Sequence, residues 1–273
     1  MKALIDGDII LYRCGFAAEQ RIHHVCRGDK DDPFVEHVLT FDSKKDANDF
    51  IEQDNDLFIE TEVVPDNIAN ALHSVKLYVQ NIVESTNCDS YLVCLSGSDN
   101  YRNDVASTLP YKGNRDPEHK PFHYKNIKEY ITRHMPHVIT EGIEADDYMG
   151  IHQSDNTIIC TIDKDLRMVE GHHYNLTSQV LDYVTPEDGL YNFAKQIITG
   201  DSVDNIPGLK GYGNKKAEKL LDENYRADWW DVISSLYMEQ YNDPWVIEET
   251  CYLLWILRSY DQIKNPPRWA TLF

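Results

Sequence analysis

The chain has 273 residues, of which 42% are hydrophobic, and its formal net charge is −20. This length supports one large domain, alone or with a small appendage, around a substantial core. The charge at Lys2 comes too early for a signal peptide, and no apolar run approaches the ~20 residues of a membrane span, so we expect a cytoplasmic protein without membrane contact. The six cysteines show no Cys-x-x-Cys spacing, which favours reduced thiols. The acidic balance excludes coating of nucleic acid by bulk attraction, although it is compatible with local basic surfaces.

Short apolar runs alternate with helical patterns along the chain and predict an α/β fold. Residues 2–5, 91–95 and 157–162 favour strands, whereas residues 68–83 repeat apolar side chains at helical spacing. A strand, a helix and a second strand make the βαβ unit of a mostly parallel sheet. Residues 17–65 alternate only weakly, and we expect an inserted hairpin or excursion there.

A basic segment lies near the middle of the chain, with the sequence Tyr111-Lys112-Gly113-Asn114-Arg115. Residues 112–123 are rich in charge and proline, which predicts an exposed connection. Helical spacing follows from residue 127 to residue 134.

Carboxylates recur in four clusters, each at the end of an apolar run. Carboxylate oxygens are hard ligands that suit Mg²⁺ or Mn²⁺, and strand ends are where an α/β sheet presents its chemistry. Two carboxylates about 4 Å apart repel by roughly 4 kcal/mol at an effective dielectric constant near 20, so a convergent cluster must spread out or bind cations. If the segments meet in space, they predict a divalent-metal site. Its eight members are Asp6, Glu144, Asp146, Asp147, Asp163, Asp165, Asp201 and Asp204.

Each cluster also has a structural alternative. Residues 6–8 are compatible with an ordinary turn, and acidic residues at 144–147 are typical of a helix start, where the dipole favours them. Asp163 and Asp165 would leave one face if the preceding strand persisted, which is unusual for like charges. Asp8 has no comparable support and is left out of the ligand set. Four coincidences in one chain favour a common site.

Residues 200–217 combine glycine, proline and lysine in a pattern typical of a phosphate-binding hairpin. A Gly-x-Gly turn before a helix at 214–221 lets the backbone approach a phosphate, because no Cβ intervenes and the helix amides point outward. Lysines in the first helical turn oppose the dipole unless an anion lies nearby. A glycine-rich surface turn is the alternative, but the flanking residues favour a helix-hairpin-helix element. Its candidate DNA contacts are Gly208, Gly211, Gly213, Lys215 and Lys216.

Taken in order, these motifs resemble the signature of the 5′-nuclease family, which comprises flap endonucleases, the 5′-nuclease domains of bacterial DNA polymerase I and bacteriophage 5′-3′ exonucleases. The similarity runs over about residues 1–222, and the chain looks most like a stand-alone bacteriophage 5′-3′ exonuclease. It implies a PIN-like domain joined to a helix-three-turn-helix (helix-hairpin-helix) region. We expect a catalytic domain over 1–185, with an insertion at about 17–65 and a helical gateway at about 111–134, and a DNA-binding region with C-terminal helices over 186–273.

The resemblance also implies a metal-dependent 5′-3′ DNA exonuclease that uses two Mg²⁺ ions, with Mn²⁺ as a substitute, on a duplex with a 5′ end, nick or flap. Flap endonuclease activity is a close variant, and a monomer is expected. A PIN-type ribonuclease and a catalytically silent DNA-binding module are the alternatives; the hairpin disfavours the first and the intact cluster the second.

Residue roles follow from the matching motifs. Lys112 and Arg115 match gateway residues that steer the scissile phosphate, and Tyr111 is available to stack on a base. The hairpin glycines would contact duplex phosphates, with K⁺ as a further ion. Asp6, Glu144 and Asp146 match a first metal group, and the second comprises Asp147, Asp163, Asp165, Asp201 and Asp204.

The chain departs from the family at one position. Relatives carry a metal-associated Asp at the end of the strand formed here by residues 91–95, whereas this chain continues Ser96-Gly97-Ser98. The nearest carboxylate, Asp99, either reaches back to the metal or is a turn residue before Asn100. If the ligand is missing, an Asp introduced at position 96 or 97 would improve metal binding.

Overall fold

The structure is a computed structural model that describes residues 1–30, 34–52, 54–115 and 120–273. The predicted insertion at 17–65 and gateway at 111–134 each include some residues outside these ranges, namely 31–33, 53 and 116–119. The chain divides into two compact units, one made of residues 1–9, 79–118 and 134–273 and the other of residues 10–78 and 119–133. The predicted boundary after residue 185 lies inside the first unit, so it stays a prediction about roles.

Strands in the described ranges form three sheets. In chain order they are Lys2–Asp6 (β1), Glu19–Arg27 (β2), Glu36–Phe41 (β3), Leu57–Pro65 (β4), Ser90–Leu95 (β5), His137–Ile139 (β6), Thr157–Thr161 (β7), Gly171–Asn175 (β8), Leu181–Val184 (β9), Gly200–Asp201 (β10) and Ile206–Pro207 (β11).

The α-helices in the described ranges alternate with these strands along the chain. In chain order they are Gly7–Ala17 (α1), Lys44–Ile51 (α2), Ile68–Thr86 (α3), Arg102–Val105 (α4), Tyr124–His134 (α5), Ala145–His152 (α6), Pro186–Thr199 (α7), Asn214–Asp222 (α8), Trp229–Tyr241 (α9) and Pro244–Leu254 (α10).

The first unit is built on a six-stranded sheet in the order β6-β5-β1-β7-β8-β9. Its strands are parallel except β9, which pairs antiparallel with β8. All five residues of β7 are buried, as expected for a central strand covered on both faces. The strands predicted from the apolar runs near residues 2, 91 and 157 are therefore confirmed, together with the mostly parallel α/β fold.

Helices α7, α9 and α10 contribute to the core of this unit. Phe193, Ile197, Ile233 and Leu254 belong to one buried apolar cluster with residues of the sheet. The start of α7 is fixed locally: the Thr185 side chain accepts a hydrogen bond from the backbone of the third helical residue, and a proline occupies the first position.

The second unit contains a three-stranded antiparallel sheet in the order β3-β2-β4, with α2 packed on it. β2 and β4 pair from Glu19 opposite Pro65 to Arg27 opposite Leu57. The expected hairpin over residues 17–65 is thus part of a larger sheet with its own helix. Within the described chain, none of the helices has both the length and the apolar composition that a bilayer crossing needs.

The loop after β5 is tightly packed against the loop after β6. A Cβ added at Gly97 would lie 2.0 Å from the carbonyl oxygen of Thr140. No side chain fits there without backbone movement, which argues against an Asp introduced at position 97 as a metal ligand.

We predict that Gly97→Ala lowers the free energy of unfolding by about 1–3 kcal/mol, the usual effect of overpacking. Ser98→Ala, at the exposed neighbouring position, should change it by less than about 0.5 kcal/mol. Urea unfolding measures both. Equal stabilities of the two variants would contradict the tight contact.

Candidate metal centre

The predicted carboxylates lie in the first unit, around the carboxyl edge of its sheet. β1 runs parallel to its neighbours β5 and β7, so these strands end at the same edge. Asp6 is the last residue of β1, and Asp163 follows the end of β7 by two residues. The sheet topology therefore brings distant acidic segments to one place.

Asp6 is held at the junction of β1 and α1. Its Oδ1 accepts a hydrogen bond from the N–H of Ile9 at 3.1 Å, which caps the first turn of the helix, and its Oδ2 accepts from the Thr161 hydroxyl at 2.7 Å. The residue is only 4% exposed. Burial, followed by the negative charge of Asp8, raises the pKa of Asp6 to about 7.

Glu144 and Asp146 lie at the start of α6. Burial alone would raise the pKa of Glu144, but the charges of Arg102 and Lys112 outweigh it and lower that pKa. The pKa of Asp146 is raised well above its ordinary value by burial and then by the charge of Asp6. The sequence alternative for this cluster was that acidic residues mark the start of a helix. The structure confirms that position, which is compatible with a metal site.

Asp147 has different partners from the other predicted ligands. It is fully buried, and its carboxylate pairs with the guanidinium of Arg102 at 2.6 and 2.9 Å. The carboxylate also accepts hydrogen bonds from the backbone N–H of Leu257 at 3.1 Å and of Glu144 at 3.2 Å. Both oxygens are fully used inside the protein. The structure therefore argues against the predicted ligand role of Asp147 and gives it a structural one.

Arg102 is a site residue that the sequence analysis missed. It is 1% exposed, donates to the carbonyls of Leu253 and Trp255 at 2.8 Å each, and lies 3.7 Å from the Glu144 carboxylate. A buried arginine needs such complete pairing. Asp147 and Trp255 are 45 and 153 residues away in sequence, so no local pattern pointed to it.

Asp163 and Asp165 are brought together by a turn. β7 ends at Thr161 and a short 3₁₀ helix starts at Asp165, so the strand does not persist and the condition for a shared face is not met. The cause is local, because Asp163 Oδ1 accepts a hydrogen bond from the N–H of Asp165 at 2.8 Å. Burial and then the charge of Asp163 raise the pKa of Asp165 to about 7. Gln196, another residue the sequence did not indicate, donates a hydrogen bond to Asp165.

Asp201 is the last residue of β10, and Asp204 lies in the turn that leads to β11. Asp201 Oδ1 accepts from the N–H groups of Val203 and Asp204 at 2.7 and 3.2 Å, which fixes the turn. Its other oxygen lies 3.2 Å from the ammonium of Lys164. One short segment thus carries two of the predicted ligands.

The basic segment contacts the acidic cluster directly. The Tyr111 hydroxyl lies 2.9 Å from the Glu144 carboxylate and 2.8 Å from that of Asp204, and the residue is buried. This placement argues against the predicted stacking of Tyr111 on a base. Lys112 pairs with Glu144 and Arg115 with Asp204. Lys112 also has a left-handed backbone, φ 54°, with its N–H bonded to the Asp204 carbonyl at 2.9 Å.

Glu249 of α10 anchors the chain that leads into this segment. Its carboxylate is 2% exposed and accepts four hydrogen bonds of 2.5–2.9 Å from the backbone N–H groups and hydroxyls of Ser107 and Thr108. The indole N–H of Trp245 donates to the Ser107 hydroxyl at 2.9 Å. The two anchored residues precede Tyr111 by four and three positions, so the anchor restricts the path of the basic segment. No sequence signal pointed to Glu249, because its partners are far away in the chain.

The glycine-rich segment continues from the acidic turn. A Cβ at Gly208 would lie within 2.5 Å of backbone atoms of Thr199 and Gly200, so packing alone requires this glycine. Gly211 has a left-handed backbone, φ 81°. Gly213 faces open space and precedes α8.

The two lysines proposed as phosphate contacts are exposed. Lys215 and Lys216 lie in the first turn of α8, whose predicted range of 214–221 is confirmed with one added residue. No acidic residue lies in that turn. The surface is therefore accessible and basic, while the helix-hairpin-helix assignment and the DNA contacts stay predictions.

The donor set fits a hard divalent cation. Within the described ranges, no three acidic, histidine or cysteine side chains are close enough to hold an ion as they stand. Mg²⁺ keeps several water ligands and binds few carboxylates directly, so ligation partly through water is compatible with this spacing. A cavity of about 150 Å³ collects six of the eight predicted ligands: Glu144, Asp146, Asp163, Asp165, Asp201 and Asp204.

Comparison with known proteins gives partial sequence matches. No family model matches the chain. DNA polymerase I of Rhizobium leguminosarum is 33% identical over 135 residues, which cover 41% of this chain and 13% of the polymerase. DNA polymerase I of Caldicellulosiruptor bescii is 32% identical over 137 residues, covering 41% and 16%. The chain thus aligns with less than a fifth of the length of these relatives.

Solved structures match the whole fold. A complex of the bacteriophage T5 flap endonuclease with DNA and metal ions has a TM-score of 0.58 at 15% identity, covering 99% of this chain and 96% of the other. T5 5′-exonuclease with bound divalent zinc has a TM-score of 0.56 at 15% identity, covering 97% and 96%. At such identities the likeness establishes the fold. The resemblance to 5′-nucleases drawn from the motifs is confirmed at this level.

The raised pKa values predict that the metal-free protein loses stability as the pH rises. Asp6 and Asp165 keep their protons up to about pH 7 when folded but only to about pH 4 when unfolded. The stability these protons contribute is fully present below about pH 4 and is lost as the pH rises through about 7. In EDTA, Asp165→Asn should therefore reduce the drop in unfolding free energy between about pH 5.5 and pH 8.

Urea unfolding at the two pH values provides the measurement. Asp155→Asn, at an exposed position, is the control and should leave the drop unchanged. If Asp165→Asn behaves like this control, Asp165 does not carry the buried charge that the structure assigns to it.

Proposed function

We propose that this chain is a divalent-metal-dependent 5′-3′ exonuclease of DNA with flap or nick-directed endonuclease activity. The observation that carries this proposal is the single cavity in which six carboxylates meet Lys112 and Arg115. Carboxylates would hold metal, and the two cations provide partners for a phosphate beside it. The fold shared with a T5 5′-exonuclease supports the same conclusion.

The side chains take distinct roles in this proposal. Two bound Mg²⁺ ions would lower the pKa of the attacking water and stabilise charge on the entering and leaving oxygens. Thr161 and Gln196 orient Asp6 and Asp165 by hydrogen bonds. Lys112 and Arg115 orient the scissile phosphate and stabilise its developing charge. One ion would be held by Asp6, Glu144 and Asp146, and the other by Asp163, Asp165, Asp201 and Asp204.

Duplex binding is assigned to the segment from Gly208 to Lys216. Exposed lysines at the start of α8 support phosphate contacts there, and the glycines at 211 and 213 let the backbone approach. A K⁺ ion at this hairpin and Mn²⁺ in place of Mg²⁺ belong to the same proposal. In this division of labour residues 1–185 carry most of the catalytic groups, and residues 186–273 bind the duplex and contribute Asp201 and Asp204. All proposed ligands come from one chain, which favours a monomer. The proposed place of action is the cytoplasm.

The proposal predicts cleavage from the 5′ end that depends on metal. With duplex, nicked and flapped DNA labelled at either end, Mg²⁺ or Mn²⁺ should give products released from the 5′ terminus, and EDTA should abolish them. Asp163→Asn combined with Asp165→Asn should remove cleavage but keep duplex binding, because both side chains serve the metal. Asp155→Asn, at an exposed position, should cleave normally.

Three outcomes would contradict the proposal. Products released from the 3′ end would refute the polarity, and cleavage of RNA alone would favour a ribonuclease. Full activity of the Asp163 and Asp165 double variant would remove the site.

The two basic surfaces should have separable effects. Lys112→Ala with Arg115→Ala should lower the single-turnover rate by about 10²–10³-fold, since both side chains stabilise charge at the scissile phosphate. Lys215→Ala with Lys216→Ala should weaken duplex affinity and reduce the log-log salt slope by about 0.9 for each lost contact.

Lys219→Ala, further along α8 and paired with Glu223, is the matched control and should change neither quantity appreciably. Rapid-quench kinetics and fluorescence anisotropy at several salt concentrations measure the two quantities. The same pattern of defects in both double variants would contradict the division.

A further inference from the structure

The end of β5 lacks a carboxylate of its own. Asp99, the nearest one in sequence, is exposed, and its Oδ1 accepts a hydrogen bond from the adjacent Asn100 N–H at 2.9 Å. This is the geometry of a turn residue. The expectation that Asp99 reaches back to the metal therefore has no support in the structure.

A different carboxylate, that of Asp8, lies at this strand end. Its two oxygens are 3.3 and 3.2 Å from the backbone N–H of Ser96, the first residue after β5. Asp8 belongs to the first turn of α1, which starts directly against β5: a Cβ at Gly7 would lie 2.6 Å from the carbonyl oxygen of Cys94. The close approach allowed by Gly7 is what brings a side chain from β1–α1 to the end of the neighbouring strand.

Asp8 is also close to the proposed ligands. It follows Asp6 by two residues, at the junction where β1 ends and α1 begins. Ser96, which holds Asp8 through its N–H, accepts a hydrogen bond from the N–H of Ala145 on its hydroxyl at 3.0 Å. The Ser96 backbone and side chain thus connect Asp8 with the start of the helix that carries Asp146.

We propose that Asp8 is a further carboxylate of the metal centre, which supplies an oxygen ligand, directly or through a bound water, from the position at the end of β5. The proposal rests on the function proposed above and adds a residue to its site. Ser96 is the positioning residue, since its N–H orients the Asp8 carboxylate. Asp8 thereby replaces, from a neighbouring element, the ligand that the sequence of β5 does not contain.

A purely structural role makes a different prediction. An acidic residue in the first turn of a helix interacts favourably with the helix dipole, with or without metal. In that case, loss of its charge lowers the stability of the metal-free protein and leaves metal affinity unchanged. As a ligand beside Asp6, by contrast, Asp8 contributes repulsion without metal and attraction with it.

The test is thermal unfolding of the EDTA-treated full chain, titrated with Mn²⁺ and with Mg²⁺, because a ligand that binds only the folded state raises the unfolding temperature. Asp8→Asn keeps the shape and the hydrogen bond from Ser96. The Mn²⁺ midpoint is defined here as the Mn²⁺ concentration that raises the unfolding temperature by a fixed amount above its metal-free value. We expect Asp8→Asn to raise this midpoint about tenfold, in the range seen when a metal site loses one supporting group. Without metal, its unfolding temperature should equal or exceed that of the wild type. Asp99→Asn is the matched control and should titrate like the wild type; Asp163→Asn should weaken binding.

The outcomes separate the possibilities. A wild-type Mn²⁺ midpoint for Asp8→Asn overturns the inference, as does an equal weakening by Asp99→Asn, which would reflect overall charge. A lower metal-free unfolding temperature with an unchanged midpoint assigns Asp8 to the helix alone. A wild-type midpoint for Asp163→Asn as well refutes the metal centre and the proposed function together. If Asp8→Asn does not unfold cooperatively, Asp8→Ser, which also removes the charge, carries the same expectation for the Mn²⁺ midpoint.

Discussion

Repulsion between carboxylates at the carboxyl edge of the parallel sheet is the constraint on which the rest of the site depends. Parallel pairing makes β1, β5 and β7 end together, so acidic side chains from distant segments meet there. The pKa values of Asp6, Asp146 and Asp165 are raised first by burial and then by the negative charges of neighbouring carboxylates. Such an arrangement is unfavourable in isolation. It becomes favourable when cations bind, which is why we interpret it as a metal centre.

Residues of the C-terminal part of the chain hold side chains and segments of the site in place by hydrogen bonds. Arg102, which fixes Asp147 and the start of α6, donates to carbonyls at the end of and just after α10. Glu249, in the same helix, anchors the chain that leads to the basic segment. Residues after the motif similarity, which ends at about residue 222, thus position both the acidic and the basic side chains of the site. We therefore expect substitutions in this region to affect catalysis as well as stability.

The sequence predicted what depends on local pattern and missed what depends on distant partners. Apolar runs located β1, β5 and β7, and helical spacing located α3 and α5. Asp146 and Asp147 are adjacent in sequence, and the sequence pattern predicted both as metal ligands. The structure distinguishes them, because the Arg102 guanidinium donates to both carboxylate oxygens of Asp147. Asp8 was set aside for the same reason, because its proximity to Ser96 depends on how α1 starts against β5.

The central claim is that this carboxylate cluster binds divalent ions, and anomalous scattering from crystals grown with Mn²⁺ tests it most directly. We expect two Mn²⁺ peaks at the carboxyl edge of the sheet. One should lie near Asp6, Asp8 and Asp146, and the other near Asp163, Asp165 and Asp204. Mn²⁺ peaks confined to other surfaces, with ordered water alone between these carboxylates, would contradict it.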